Sequence, residues 1–328
     1  MNHTGIETAD FTSNPCSGCL HGCKWCYARG IVKRFHKVWG YPADDPFQPL
    51  FHPREIEKLL ACEKKCTVMI GSMCDLGGKW FWKAWMPKGG KYTFKSNPLV
   101  SVTHGDLAIS TVDIWRELLF VIQRKPNITF QVFTKNPENL YWSIDGALLR
   151  SESNIVPPNL WIGATVTNQA DAEARIPYLL RMREIGVKTL FVSWEPVMGQ
   201  VPWEWYVGEI AVDLSCPICG TTKNSTPPLE VDPGDYGPGG YAKYCMCPNN
   251  CDVNEEFTFD DYCNIPTFGI DWLIIGAMTG RLAKKNRPQR EWIQSAVNQC
   301  RFSGVPVFCK SSITKLFPDT EWPKEFPE

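Results

Sequence analysis

The sequence predicts an α/β protein of parallel βα units, arranged as a partial or complete (β/α) barrel and interrupted by a cysteine-rich metal-binding insertion. Three observations predict it. Short, continuously apolar runs recur along the chain, amphipathic stretches of helical period alternate with them, and no Gly-x-Gly-x-x-Gly turn follows an early run. Continuous apolar runs mark strands buried on both faces. Alternation with helices implies a mainly parallel sheet. The missing glycine turn weighs against a dinucleotide-binding fold.

In chain order, a weak strand candidate is IETADF at 6–11. Stronger ones are CTVMIGSM at 66–73, ITFQVFTK at 128–135, LWIGATVT at 160–167, TLFVSWEP at 189–196, DWLIIGAM at 271–278 and VPVFCK at 305–310. PREIEKLLA at 53–61 reads as a helix, and TVDIWRELLFVIQR puts Ile114, Leu118, Val121 and Ile122 on one helical face. DAEARIPYLLRMREIG and QREWIQSAVNQCRFSG end on Gly186 and Gly304, as helix C-termini often do. Two stretches break the rhythm: 77–105, rich in Trp, Gly and Lys, and 213–265, rich in Cys, Pro and Gly. Long connections of that kind in a compact domain are functional or disordered. The expected division is 1–212, the N-terminal part of the barrel with a cysteine loop; 213–265, the insertion; and 266–328, the C-terminal part.

The formal net charge of -1 argues against a protein that grips a nucleic-acid backbone, but leaves room for a small base-like substrate. No run reaches the roughly 20 apolar residues that span a bilayer. The start, MNHTGIETAD, lacks the basic-then-apolar pattern of a signal peptide. A cytoplasmic protein with no membrane partner is expected. Its 15 cysteines are then unusual, since the cytosol disfavours disulfides, and their clustering points to soft metals.

Cys19, Cys23 and Cys26 form C-x3-C-x2-C in CLHGCKWC. Three thiolates of one tight loop can hold three irons of a 4Fe–4S cube and leave the fourth open for chemistry. The open iron can chelate the amino and carboxylate groups of S-adenosylmethionine. Cys16 offers a fourth thiol, which would make the site an electron carrier, and four thiolates also suit zinc. His21, inside the loop, is either a donor to cluster or substrate or an exposed loop residue.

With Trp25 before its last cysteine, this motif resembles the signature of the radical S-adenosylmethionine superfamily. The longer context TGIETADFTSNPCSGCLHGCKWCYAR resembles its phage gp37/gp68-type branch, as do GSMCDL, FTKNPENL, IGATVTNQ, FVSWEPVMG, DWLIIGAMTG and VPVFCK. The resemblance implies a barrel of radical-enzyme type, a 4Fe–4S cluster with S-adenosylmethionine, a 5'-deoxyadenosyl radical, and a flavodoxin- or ferredoxin-type electron donor. One activity of the branch is queuine lyase, so the expected reaction is C–N cleavage of queuine to 7-aminomethyl-7-deazaguanine. The alternatives are another radical modification of a nucleobase-like substrate, or a non-catalytic iron–sulfur carrier.

Ligands of a parallel barrel gather at the C-terminal ends of its strands. This makes Gly71, Ser72, Met73 and Asp75 cofactor-binding candidates. The resemblance implies that a glycine-containing segment here receives the methionyl amino group, although the usual Gly-Gly-Glu is absent; an N-cap role is the alternative for Ser72 or Asp75. Lys135 can pair with a carboxylate, and Thr165, Thr167, Asn168 and Ser193 suit ribose or adenine, with local loop bonding as the alternative. Glu195, before Pro196, is the strongest candidate outside the cysteines, because buried acids are uncommon unless paired. It can hold a ribose diol, a cationic amine or a guanine-like edge, or form an ion pair with Lys310. The basic run Arg281, Lys284, Lys285, Arg287 and Arg290 reads as a solvated face. KWFWKAWM reads as a lid, with Trp80, Trp82 and Trp85 stacking on a base or filling a core. In the insertion, Cys216 and Cys219 with two of Cys245, Cys247 and Cys251 read as tetrahedral zinc, an auxiliary iron–sulfur cluster being the alternative. Cys300 and Cys309 are expected in the core.

Overall fold

The computed structural model describes residues 2–151, 153–208 and 269–327. These residues divide into two compact units, one holding residues up to Thr165 together with Ile185–Leu190, the other Val166–Glu184 and the chain from Phe191 onward. The expected boundaries at 212/213 and 265/266 lie outside the described residues.

In the first unit, β1 (Asn2–His3) pairs antiparallel with β2 (Phe11–Ser13). Then come β3 (Cys16–Ser17), α1 (Tyr27–Trp39), β4 (Leu50–Phe51), α2 (Pro53–Leu60) and β5 (Cys66–Ile70). They are followed by β6 (Trp82–Ala84), β7 (Lys91–Thr93), β8 (Ser101–Thr103) and β9 (Leu107–Ile109). The unit continues with α3 (Thr111–Gln123), β10 (Ile128–Thr134), α4 (Pro137–Leu148) and β11 (Leu160–Val166). β2, β5, β10 and β11 are parallel neighbours, with Phe11 opposite Val68, Val68 opposite Phe130, and Phe130 opposite Leu160. Val68, Phe130, Val132, Leu160 and Ile162 are fully buried, as continuous apolar runs require. The expected strand at 6–11 begins only at Phe11, because Glu7 and Thr8 form a turn.

α3 starts from a capping box. Ser110 accepts from the Asp113 N–H at 3.2 Å, and the Asp113 carboxylate accepts from the Ser110 N–H at 2.9 Å. It buries Trp115 together with Ile114, Leu118, Val121 and Ile122, each of these four aliphatic side chains contributing about 1.5–3 kcal/mol. In the tryptophan-rich stretch, expected as a lid or as core packing, short strands form. β6 and β9 join β3 and β4 in a four-stranded sheet, and β7 and β8 form a hairpin. Trp82 is fully buried in β6, while Trp80 and Trp85 are half-buried. Phe51 stacks on Phe94 and meets the Tyr92 ring edge-on, both at 5.8 Å. Glu117 of α3, fully buried, accepts from the Tyr92 hydroxyl at 2.5 Å and from the Lys95 and Ser96 N–H groups at 2.8 Å.

The second unit carries α5 (Gln169–Leu180), β12 (Thr189–Trp194), β13 (Trp272–Ile275), α6 (Arg290–Phe302), β14 (Val307–Cys309) and α7 (Ser311–Leu316); the first two residues of β12 belong to the first unit. β12, β13 and β14 are parallel, with Phe191 opposite Trp272 and Leu273 opposite Val307. Trp194, Trp203 and Trp272 are fully buried, as are Cys300 and Cys309. Gly186 and Gly304 hold φ of 95° and 70° beyond their helices, a conformation glycine adopts without strain. No helix among the described residues is long and apolar enough to cross a membrane.

Glu117→Ala should cost about 3 kcal/mol in urea denaturation, since it strands a buried hydroxyl and two N–H groups at once.

Candidate cysteine-loop site

The loop between β3 and α1 presents the three spaced cysteines. Its entry is fixed by Gly18, whose φ of 86° and close approach to Gln48 exclude any side chain: a Cβ would lie 1.9 Å from the Gln48 carbonyl oxygen. The Gly18 N–H donates to the Met73 carbonyl and the Cys19 N–H to the Phe47 carbonyl, at 3.0 and 3.2 Å. At the exit, Cys26 is the N-cap of α1, its Sγ accepting from the Arg29 N–H at 3.4 Å. Arg29 reaches back to the Cys19 carbonyl at 3.0 Å and lies over the Phe47 ring.

Cys19, Cys23 and Cys26 are all partly exposed, whereas Cys16 is fully buried in β3, opposite Phe51. Burial pushes the Cys19 thiol up to about 11; the His21 N–H acts against it, while Asp75, Cys23 and Cys26 add to it. The fully buried Cys16 and the partly exposed Cys74 are also raised well above the ordinary thiol value, mainly by desolvation, and Cys74 feels Cys16. No three His, Cys, Asp or Glu side chains among the described residues converge as on a single ion. Three thiolates on one short loop are the donor chemistry that three corners of a 4Fe–4S cube would take.

Asp75 holds the loop from behind. Its buried carboxylate accepts from His21 Nε2 at 2.8 Å and the Lys135 N–H at 2.8 Å on one oxygen. On the other it accepts from the Thr134 hydroxyl at 2.5 Å and the Gly77 N–H at 2.9 Å. Burial opposes its ionisation, but the His21 and Thr134 side chains and the Lys135 N–H hold it below the ordinary value of 3.8. The His21 ring also meets Trp80 edge-on at 5.5 Å.

The 71–73 segment is tied to the same loop. Tyr27 donates its hydroxyl to the Ser72 carbonyl at 2.6 Å. The Asn14 side-chain oxygen accepts from the Met73 N–H at 2.9 Å and the Ser72 hydroxyl at 3.2 Å. Gly71 has φ of 83° and donates to the Ser13 carbonyl. Behind the loop, Ser17 meets His52 Nε2 at 2.7 Å and Tyr41 stacks on the His52 ring; burial lowers His52 to about 4, so it is neutral near pH 7. Asn14, Ser17, Tyr41 and His52 carry no signal in the sequence, because only the fold brings them to the loop.

The other candidates fall as follows. Thr134 ends β10, and Thr165 is buried in β11. In the second unit, Asn168 caps α5 and Thr167 donates its hydroxyl to Asp171 at 2.5 Å, so both take part in local capping. Ser193 is buried in β12. Lys310 donates to Glu195 at 2.5 Å, and a Cβ on Gly276 would lie 2.5 Å from the Glu195 carboxylate. In the basic run, Lys284, Lys285 and Arg287 are exposed and Arg290 pairs with Asp319. Cys216, Cys219, Cys245, Cys247 and Cys251, with their zinc or auxiliary cluster, lie outside the described residues.

Asp75→Asn should lower stability by about 2 kcal/mol or more at neutral pH, because it removes the charge and puts an amide among donors. A depressed folded-state value gives stability that is present above the unfolded value and lost as pH falls through the folded one. The gap between wild type and variant in urea midpoint should therefore shrink as pH is taken from 7 to below about 4.

No curated protein and no solved structure matches this chain. A family model described as a protein of unknown function, DUF5131, matches residues 3–314. The cysteine loop, its carboxylate anchor and both units' ladders fall inside that span, and the chain belongs to the DUF5131 family.

Proposed function

We propose that the protein is a radical S-adenosylmethionine enzyme in which Cys19, Cys23 and Cys26 hold a 4Fe–4S cluster. The substrate class is a deazapurine-like base, queuine first, cleaved at its C–N link to leave 7-aminomethyl-7-deazaguanine. One observation carries the reading: three partly exposed thiols occupy one anchored loop, while the neighbouring Cys16 is buried in a strand. That leaves three ligands for four irons. When bound, the cluster and S-adenosylmethionine supply a 5'-deoxyadenosyl radical that takes hydrogen from the substrate.

The chain's own part is to position. Asp75 fixes His21, and so the span between Cys19 and Cys23. Tyr27 and Gly18 hold the 71–73 segment to the loop. The Gly71, Ser72 and Met73 carbonyls each accept one protein hydrogen bond and keep a second lone pair for an ammonium donor such as the methionyl amino group. The Lys135 ammonium suits a carboxylate. The Glu195 carboxylate, beside Lys310, suits a cationic amine or the paired donors of a guanine-like edge. The parallel ladders of both units support the (β/α) architecture that the resemblance implies.

Anaerobic reconstitution tests the class. Wild type and Cys16→Ser should take up iron and show a reduced-cluster spectrum that changes on adding S-adenosylmethionine. Cys19→Ser, Cys23→Ser and Cys26→Ser should each lose it. An unchanged spectrum would leave an electron carrier. With reductant and queuine, 5'-deoxyadenosine should form together with the aminomethyl base; deoxyadenosine alone would keep the class and remove queuine.

A further inference from the structure

α1 continues directly from the cysteine loop. Its inward side is short, with Ala28 and Val32 buried beside Phe47. The same stripe runs on to Phe35 and Trp39, which stack on each other at 5.6 Å yet stay 36% and 42% exposed. Val38 beside them is 80% exposed, and in the loop Leu20 and Trp25 are 58% and 36% exposed. The charge is equally one-sided. α1 carries Arg29, Lys33, Arg34, His36 and Lys37 but no Asp or Glu, and Lys24 precedes it. Lys24, Lys33, Arg34 and Lys37 are exposed, and among the described residues none of the four is in an ion pair. For a chain of net charge -1 this is a local excess of one sign. Scattered exposed apolar residues need no partner, but apolar anchors ringed by cations outside any ion pair, with Arg34 lying over the Phe35 ring, have the make-up of an interface.

We infer that this face docks a small acidic electron-donor protein. The inference rests on the proposed function, which needs an electron from outside the chain. One electron would leave the donor's flavin hydroquinone, giving the semiquinone, and be accepted by the cluster that Cys19, Cys23 and Cys26 would hold. Electron transfer weakens steeply with distance, so the donor has to approach that loop, and α1 is the element continuous with it. The cations steer an acidic partner into place, and Phe35, Val38 and Trp39 give it an apolar anchor. Single-stranded nucleic acid would use the same cations but needs free ring faces for stacking. Here Phe35 and Trp39 cover one another, and Trp39 meets Tyr41 edge-on at 5.6 Å, which favours a protein.

The test compares the full chain with the variant K33E/R34E/K37E, using oxidised flavodoxin as probe and calorimetry at two salt concentrations. Wild-type binding should weaken as salt rises, and the variant should bind about tenfold more weakly or worse. Iron content, circular dichroism and reduction by dithionite should be the same in both. Should the reversals disturb folding, K33Q/K37Q replaces them, with about threefold weaker binding expected. Equal flavodoxin binding by wild type and variant overturns the inference. So does salt-sensitive binding of a single-stranded oligonucleotide that the variant loses while flavodoxin binding persists. Iron uptake is read separately, so a chain that binds flavodoxin through α1 but takes up no iron defeats the proposed function and leaves the docking face standing.

Discussion

The Asp75 carboxylate is buried, and the shape of the cysteine loop follows from how that charge is satisfied. Taking a carboxylate out of water costs several kcal/mol unless donors replace its hydration. The donors come from separate parts of the chain: His21 from the loop, Gly77 from the turn after β5, Thr134 and Lys135 from the end of β10. The loop cannot shift against β10 without unpairing a buried charge. Glu117 works in the same way in the neighbouring sheet, where it clasps the β7–β8 hairpin to α3. Two enclosed acids therefore hold in place segments that short strands alone would hold weakly.

The long parallel strands were legible because their burial on both faces leaves continuous apolar runs, as at Ile128–Thr134 and Leu160–Val166. The second sheet was not. β3, β4, β6 and β9 are two or three residues long, too short to write a period of two into the sequence. The stretch rich in Trp, Gly and Lys left a lid and a core both open, and Trp82 takes the core, on a strand and not on a helical face. At the start of the chain, the Asp10 side chain accepts from the Thr67 N–H at 2.8 Å, so an acid that read as part of a strand meets β5 just before the β2 ladder begins.

The site divides along the same line. Cysteine spacing is local information and survives in one dimension. The bonding of Thr167 and Asn168 is equally local, and both serve the N-terminus of α5. The Glu195–Lys310 pair could be weighed beforehand from the rule that an acid at a strand end needs a partner. Asn14, Ser17, Tyr41 and His52 support the loop through contacts between residues far apart in sequence, which no spacing records. Tyr27 sat in view beside Cys26, but its hydroxyl's target, Ser72, is a matter of tertiary structure.

The fit of Gly18 against Gln48 limits how the entry of the loop can vary. With that entry wedged against main chain, its exit capped at Cys26 and its middle held at His21, the three cysteines hang on a frame pinned at three points. A side chain at residue 18 would meet backbone, which cannot swing aside, so the Phe47–Gln48 segment or the loop itself would have to move.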